Sequence, residues 1–213
     1  MAALRAFRAD GRFYLGVSWG KESIVVAHLA HRIGLDVPVI WFPAGPIENP
    51  DCALVRDAFL ARFDVDYVEH EACDLAWTSD HGTMVHDGAQ VAFAKATKRY
   101  GLRYASGVRG EESGHRKRCM LHWGDASPNT CAPIGFWSLE DVYGYLARHD
   151  LPIHPAYACT WGGTYPRTGI RVATIGGRIG RGIGRSEWEQ SYYPETVRRV
   201  REMAAVAAAL HAG

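Results

Sequence analysis

The chain has 213 residues, a length that suits one domain of ordinary size with a real core. Its formal net charge is +1, so no global field draws it to nucleic acid or to a membrane, and its apolar and charged fractions are those of a soluble globular protein. No apolar run approaches the length of a membrane span, and residues 1–10 lack the apolar centre of a secretion signal, so a cytoplasmic protein without membrane contact is the default expectation.

Residues 13–18 predict a buried strand. A tight loop with Gly20, Lys21 and Ser23 follows it and opens a helix over 22–34, with Ile24, Val25, Ala27, Leu29 and Ile33 inward and Gly34 as its stop. A wholly apolar second strand is expected over 37–42. A helix over 52–63 carries Leu54, Val55, Ala58, Phe59 and Phe63 at helical spacing. A third strand over 66–69, a helix over 88–100 and a fourth strand over 102–107 come next. A short fifth strand over 131–134 precedes a helix over 138–149, capped by Ser138 with Asp141 three residues on. A last helix over 194–212 has Pro194 near its start and a stripe of Val197, Val200, Met203, Ala204, Ala207 and Leu210. That stripe is expected to dock on the domain or on a second subunit, so a homo-oligomer is one expectation. The alternation predicts an α/β fold, a Rossmann-like doubly wound, mostly parallel five-stranded sheet. In such sheets ligands bind beyond the carboxyl ends of the strands, near the switch in strand order.

The first loop lies at that edge. A helix start offers unpaired N–H groups and partial positive charge; Lys21 adds a full charge, Ser18 and Ser23 add hydroxyls, and Gly20 allows close approach. The spacing excludes the lysine phosphate loop G-x-x-x-x-G-K-[ST]. Ser106-Gly-Val-Arg-Gly-Glu-Glu-Ser-Gly-His-Arg116 follows the fourth strand and reaches the same edge. There Gly107 permits close approach, Arg109 can fork onto a phosphate or sulfate, Arg116 adds a second cation, and Glu112 can orient an arginine or bind a metal. His115, Lys117, Arg118 and His122 extend the basic stretch and are expected to be solvated.

Ser18-Trp-Gly-Lys-Glu-Ser23 resembles the S-G-G-K-D-S pyrophosphate loop of the adenine nucleotide alpha hydrolase-like superfamily, and within it the phosphoadenosine phosphosulfate reductase family, broadly defined. Trp19 stands where that pattern has glycine, and Glu22 where it has aspartate. Segment 106–116 resembles the family's G-x-R-x-x-E-S followed by arginine. Segment 132–157 resembles its P-I-x-x-W-x-x-x-D-V-W-x-Y-I and L-P-x-x-P-x-Y; its Trp137, Val142, Tyr145 and Leu146 are expected to pack and its prolines to shape the helix exit. The likeness spans about residues 13–160. On it, residues 1–165 are expected to form the family's nucleotide domain, and 166–213 a Gly/Arg-rich loop and helix of the same domain. Glu48 faintly echoes an acidic residue of the second loop, and Trp41 or Phe42 is a weak candidate for adenine contact.

The resemblance implies an enzyme that binds ATP with magnesium and cleaves between the alpha and beta phosphates, passing AMP to an unknown acceptor. Lys21, Arg109 and Arg116 would be the catalytic residues. Ser18, Trp19, Gly20, Lys21, Glu22, Ser23, Gly107, Arg109 and Glu112 would bind the nucleotide. Two alternatives remain open: a sulfonucleotide-binding protein that needs a redox partner, and a nucleotide- or nucleic-acid-binding subunit of a modification complex. Sulfonucleotide reductases carry a cysteine in an E-C-G-[LI]-H tail. That segment is missing from this sequence, so reduction by this chain alone is not expected.

Cys52, Cys73, Cys119, Cys131 and Cys159 form no C-x-x-C pair, and idle or buried thiols are expected. A cluster from Cys119, His122, Cys131 and Cys159 has little support from spacing, so neither an iron–sulfur cluster nor a protein-held metal is expected. Glycines at 176, 177, 180, 182 and 184 alternate with Arg178, Arg181 and Arg185. This segment is expected to be a cationic lid over phosphates, or a track for a nucleic-acid backbone.

Overall fold

The computed structural model describes residues 1–70, 77–80, 83–86, 88–164, 170, 172, 174–175 and 185–212. The strands are β1 (Tyr14–Val17), β2 (Val39–Trp41), β3 (Tyr67–Glu69), β4 (Trp77–Asp80), β5 (Thr83–His86), β6 (Tyr104–Ala105) and β7 (Thr130–Cys131). The helices are α1 (Ala2–Ala9), α2 (Lys21–Arg32), α3 (Asp51–Leu60), α4 (Gly88–Tyr100), α5 (Gly114–Trp123), α6 (Leu139–Arg148), α7 (Arg185–Tyr192) and α8 (Pro194–Ala212). Five strands make an all-parallel sheet in the order β3-β2-β1-β6-β7, while β4 and β5 pair as an antiparallel hairpin.

Leu15 of β1 pairs with Val39 on one side and Ala105 on the other. The chain thus leaves β1 in one direction and returns in the other for β6. Between β1 and β6 the strand order reverses, and the loops after these two strands part to open a crevice. The sheet has layers on both faces, which is why β1 and β2 are apolar nearly throughout. Leu15, Val17, Val39, Trp41 and Ala105 pack with Ile24 and Val25 of α2, Phe59 of α3 and Val142 and Leu146 of α6. Tyr14, Phe42 and Tyr104 lie with Phe93 and Tyr100 of α4 in an aromatic layer.

The predicted strands and helices are present: α4 and α8 have the expected bounds, and the others are shorter, with α2, α3 and β7 starting one residue earlier. The α1 helix, the β4–β5 hairpin, α5 and α7 are additions to the expected elements. Only Leu4 and Phe7 are buried on α1, and only Met120 on α5, so neither has the long apolar stripe that marks a helix in sequence. The ends of α5 are nonetheless encoded: the Ser113 side chain accepts from the Arg116 amide, and Gly124 follows the last turn at φ +67°. Val200 and Ala207 of α8 pack with Ala44, Ile47 and Trp77, and Val197 joins Trp188 and Tyr193, whereas Leu210 is exposed. The stripe therefore docks on its own chain over most of its length. Among the described residues no helix is long and apolar enough to cross a membrane.

Two buried histidines make the fold acid-sensitive. Nδ1 of His154 accepts from the Ala156 amide at 3.1 Å, which requires the neutral ring, and burial lowers its pKa to about 4. His28 is lowered to about 4 by burial first and then by the charges of His149, Arg32 and their neighbours. Unfolded histidine titrates near 6.5, so the native state binds fewer protons between pH 6.5 and 4. The associated stability is complete above pH 6.5 and is lost as pH falls toward 4. For His154 alone a shift of this size corresponds to roughly 3 kcal/mol at most. Thermal unfolding is expected to show a Tm that declines from pH 7 to pH 4.5, with a shallower decline in His154→Asn. Equal slopes for the two proteins would contradict this account.

Candidate functional site

The crevice between the β1 and β6 loops is a cleft of about 380 Å³. It is lined by Ser18, Gly20, Lys21, Glu22, Arg109, Glu111, Glu112, Arg116, Leu139, Tyr157, Ile170 and Val172.

Gly20 is the N-cap of α2, with extended backbone at φ −79° and ψ 166°. A Cβ there would lie 3.1 Å from Val172 and 3.3 Å from the Tyr157 hydroxyl, so glycine lets the loop pass beneath these side chains. Ser23 braces the loop: its hydroxyl donates to the Gly20 carbonyl at 2.9 Å and accepts from the Ser18 amide at 3.3 Å. Its proton is thus committed to the loop rather than offered to a ligand, while Ser18 is exposed to the cleft.

Lys21 is buried, and three groups hold it. Its Nζ lies 3.1 Å from Glu22 Oε1, 3.5 Å from the Tyr157 hydroxyl and 4.5 Å above the Tyr157 ring. The Lys21 amide also donates to that hydroxyl, at 3.3 Å. Arg109 is buried as well. Its Nη2 and Nε lie 3.2 and 3.4 Å from Glu22 Oε1, and its Nη1 donates to Glu111 at 2.8 Å and to the Trp137 carbonyl at 3.3 Å. Glu112 accepts from the Arg109 amide at 2.8 Å and also pairs with Arg116. It therefore orients both arginines. Gly107 brings the β6 loop against the start of α2, since a Cβ on it would sit 2.6 Å from Glu22 and 2.8 Å from the Ser23 nitrogen.

Lys21 and Arg109 thus converge on one carboxylate oxygen at the start of α2, and Arg116, paired with Glu112, lines the same cleft. Three carboxylates, Glu22, Glu111 and Glu112, balance three cations among the described lining residues. No group of three or more His, Cys, Asp or Glu side chains among the described residues is placed to hold a metal. Glu22 and Glu111 are paired with Arg109, so magnesium would have to arrive on a ligand's phosphates.

The family model of the phosphoadenosine phosphosulfate reductase domain matches residues 12–178. The chain belongs to this family. Among curated reductases, the phosphoadenosine 5′-phosphosulfate reductase of a Synechococcus species is 28% identical over 67% of this chain and 68% of its own. The adenosine 5′-phosphosulfate reductase of Streptomyces coelicolor is 29% identical over 81% of this chain and 79% of its own. Among solved structures, the phosphoadenylyl-sulfate reductase of Candida auris, in complex with phosphate, matches with a TM-score of 0.51 at 14% identity, covering 69% of this chain and 77% of that one. That likeness supports the fold.

Several expected site residues of this family member are placed elsewhere. Trp19 does not face the cleft. It is fully buried against Trp41, Phe59 and Tyr67, because a backbone φ of +56° turns its side chain into the core. Arg185, expected in the lid, is buried at the start of α7, where it donates to Glu189 at 2.7 Å and lies over Trp188. Arg178 and Arg181 lie outside the described residues. Glu48 closes its own turn by accepting from the Ala44 and Asn49 amides. Trp41 is buried, and Phe42 stacks on His70 in the aromatic layer. Cys52 is fully buried, and burial pushes its thiol far up, which makes it a packing residue.

Tyr157 and Glu111 were missed. Tyr157 ends the Leu151-Pro-Ile-His-Pro-Ala-Tyr157 segment, which matches the family pattern but reads in sequence only as the exit of a helix. Glu111 gave no signal, because its role depends on meeting Arg109 and the Leu139 amide in space.

Proposed function

We propose that the cleft binds the anionic tail of an adenosine phosphosulfate and that the chain is an enzyme of sulfonucleotide chemistry. One observation carries this reading: Lys21 and Arg109, both buried, aim at a single oxygen at the N-terminus of α2. An acidic oxygen is what this arrangement holds, and the family relatives are named for phosphosulfates. In the proposed complex the α2 amides and Lys21 take one face of the anion, and Arg109 and Arg116 take the other. Pre-aimed cations in a partly dry cleft stabilise charge that builds on the bridging oxygen as the sulfur–oxygen bond weakens.

A second reading is favoured by the cleft lining, which has no cysteine among the described residues. Reduction requires a thiol at the sulfur, whereas adenylyl transfer from ATP with magnesium requires only positioning and charge stabilisation, using the same residues. Titration calorimetry with adenosine phosphosulfate, with its 3′-phosphorylated form and with ATP plus magnesium separates the two. The first reading expects a sulfonucleotide to bind best, and ATP binding best would overturn it. In either case Lys21→Ala is expected to weaken the preferred nucleotide by roughly 10- to 100-fold, the worth of a charge-assisted contact.

A further inference from the structure

Resting on that reading, we infer that Glu22 is a specificity-determining residue: it selects a singly charged sulfuryl group over a doubly charged terminal phosphate. Its carboxylate lies between the two buried cations proposed to hold the ligand's anion. Glu22 Oε1 is 3.1 Å from Lys21 Nζ and 3.2 Å from Arg109 Nη2. Each nitrogen of the Arg109 guanidinium is engaged, with Glu22 on Nε and Nη2 and with Glu111 and the Trp137 carbonyl on Nη1.

A ligand must therefore displace a carboxylate or sit beside one. The two carboxylates differ in how they can yield. The Glu111 side chain is 55% exposed, so water can replace Arg109 and the Leu139 amide as its partners when it turns away. The Glu22 side chain is 14% exposed, and its partners Lys21 and Arg109 are 7% and 5% exposed. It stays near the cations, so a bound anion acquires a like-charged neighbour that solvent screens poorly.

That repulsion grows with the charge of the ligand group. A sulfuryl ester carries one negative charge. A terminal phosphate, with a second pKa near 6, carries about 1.5 to 2 at pH 7. The two groups have nearly the same shape and the same oxygen acceptors, so contacts alone do not separate them. Glu22 does so through charge.

ADP and adenosine phosphosulfate form the isosteric pair that tests this. In the wild-type protein the phosphosulfate is expected to bind at least tenfold more tightly than ADP at pH 8. In Glu22→Gln, which keeps the size and an oxygen acceptor, ADP is expected to gain more than the phosphosulfate, so that the ratio shrinks about tenfold. Lys21→Ala is expected to weaken both ligands, ADP the more, because a cation attracts the more highly charged phosphate more strongly, so here the ratio does not shrink. An unchanged ratio in Glu22→Gln, with Lys21→Ala still losing affinity, overturns the role of Glu22 and leaves the anion site standing. Unchanged affinity in Lys21→Ala overturns the anion site itself. A measurement on wild type alone guards against a variant that fails to fold. From pH 8 to pH 6, ADP affinity is expected to rise as its terminal phosphate takes up a proton, with the phosphosulfate nearly constant; parallel pH profiles would also overturn the proposal.

Discussion

Gly107→Ala is expected to cost the protein at least tenfold in nucleotide affinity and to lower its stability as well. The added Cβ would lie 2.6 Å from the carbonyl carbon and Cβ of Glu22 and 2.8 Å from the Ser23 nitrogen. These atoms belong to the first turn of α2, and no flexible side-chain end is available to move aside. Either the β6 loop or the helix start has to shift, and overpacking of this kind typically costs about 1–3 kcal/mol. The shift falls on the site, because Arg109 lies two residues beyond Gly107 and reaches back to Glu22 at 3.2 Å. A displacement of about 1 Å is enough to spoil an oriented charge contact. Gly144→Ala is the control. It sits within α6 with nothing within 4 Å of its added Cβ, so it is expected to leave affinity alone and to raise stability slightly through helix propensity. Calorimetric titration and thermal melts of both variants check this. Wild-type affinity in Gly107→Ala would show that the two loops do not depend on their contact.

Trp19→Gly is expected to destabilise the fold strongly, even though it restores the residue found in the resembling loop pattern. Two effects oppose each other. Trp19 has φ +56°, a left-handed conformation that costs a non-glycine residue roughly 1–2 kcal/mol. Glycine removes that cost. Against it stands the loss of a fully buried indole packed on Phe59 and Tyr67 at ring distances of 5.8 and 5.7 Å. Truncating a buried aromatic costs about 3–5 kcal/mol. Packing wins, and the net loss is roughly 1–4 kcal/mol, or a fall in Tm of about 2–16 °C for a domain of this size. Trp19→Ala is expected to be less stable than Trp19→Gly, since it loses the indole and keeps the strain. A Trp19→Gly protein as stable as wild type, with weakened nucleotide binding, would mean that the indole serves the ligand rather than the core.

Local residue patterns were enough for the alternation of strands and helices, and with it the parallel sheet and its edge. Buried strands and amphipathic helices write their periods locally, so β1, α2, β2, α3 and α6 were legible within a few residues of their bounds. The two loops at the strand switch were legible for the same reason, because Gly20, Lys21, Gly107 and Arg109 are residue types that a strand-to-helix anion site needs in that order. The tertiary structure decided which way the side chains face and what they meet. Trp19 turns inward through its backbone angle, which the order of residues in the loop does not specify. Arg185 is claimed by Glu189 and Trp188 instead of by a lid. Glu22 meets Arg109 across 87 residues, and Lys21 meets Tyr157 across 136. Such pairings arise only when the sheet brings distant segments together, because a buried charge takes the nearest partner in space whatever its distance along the chain.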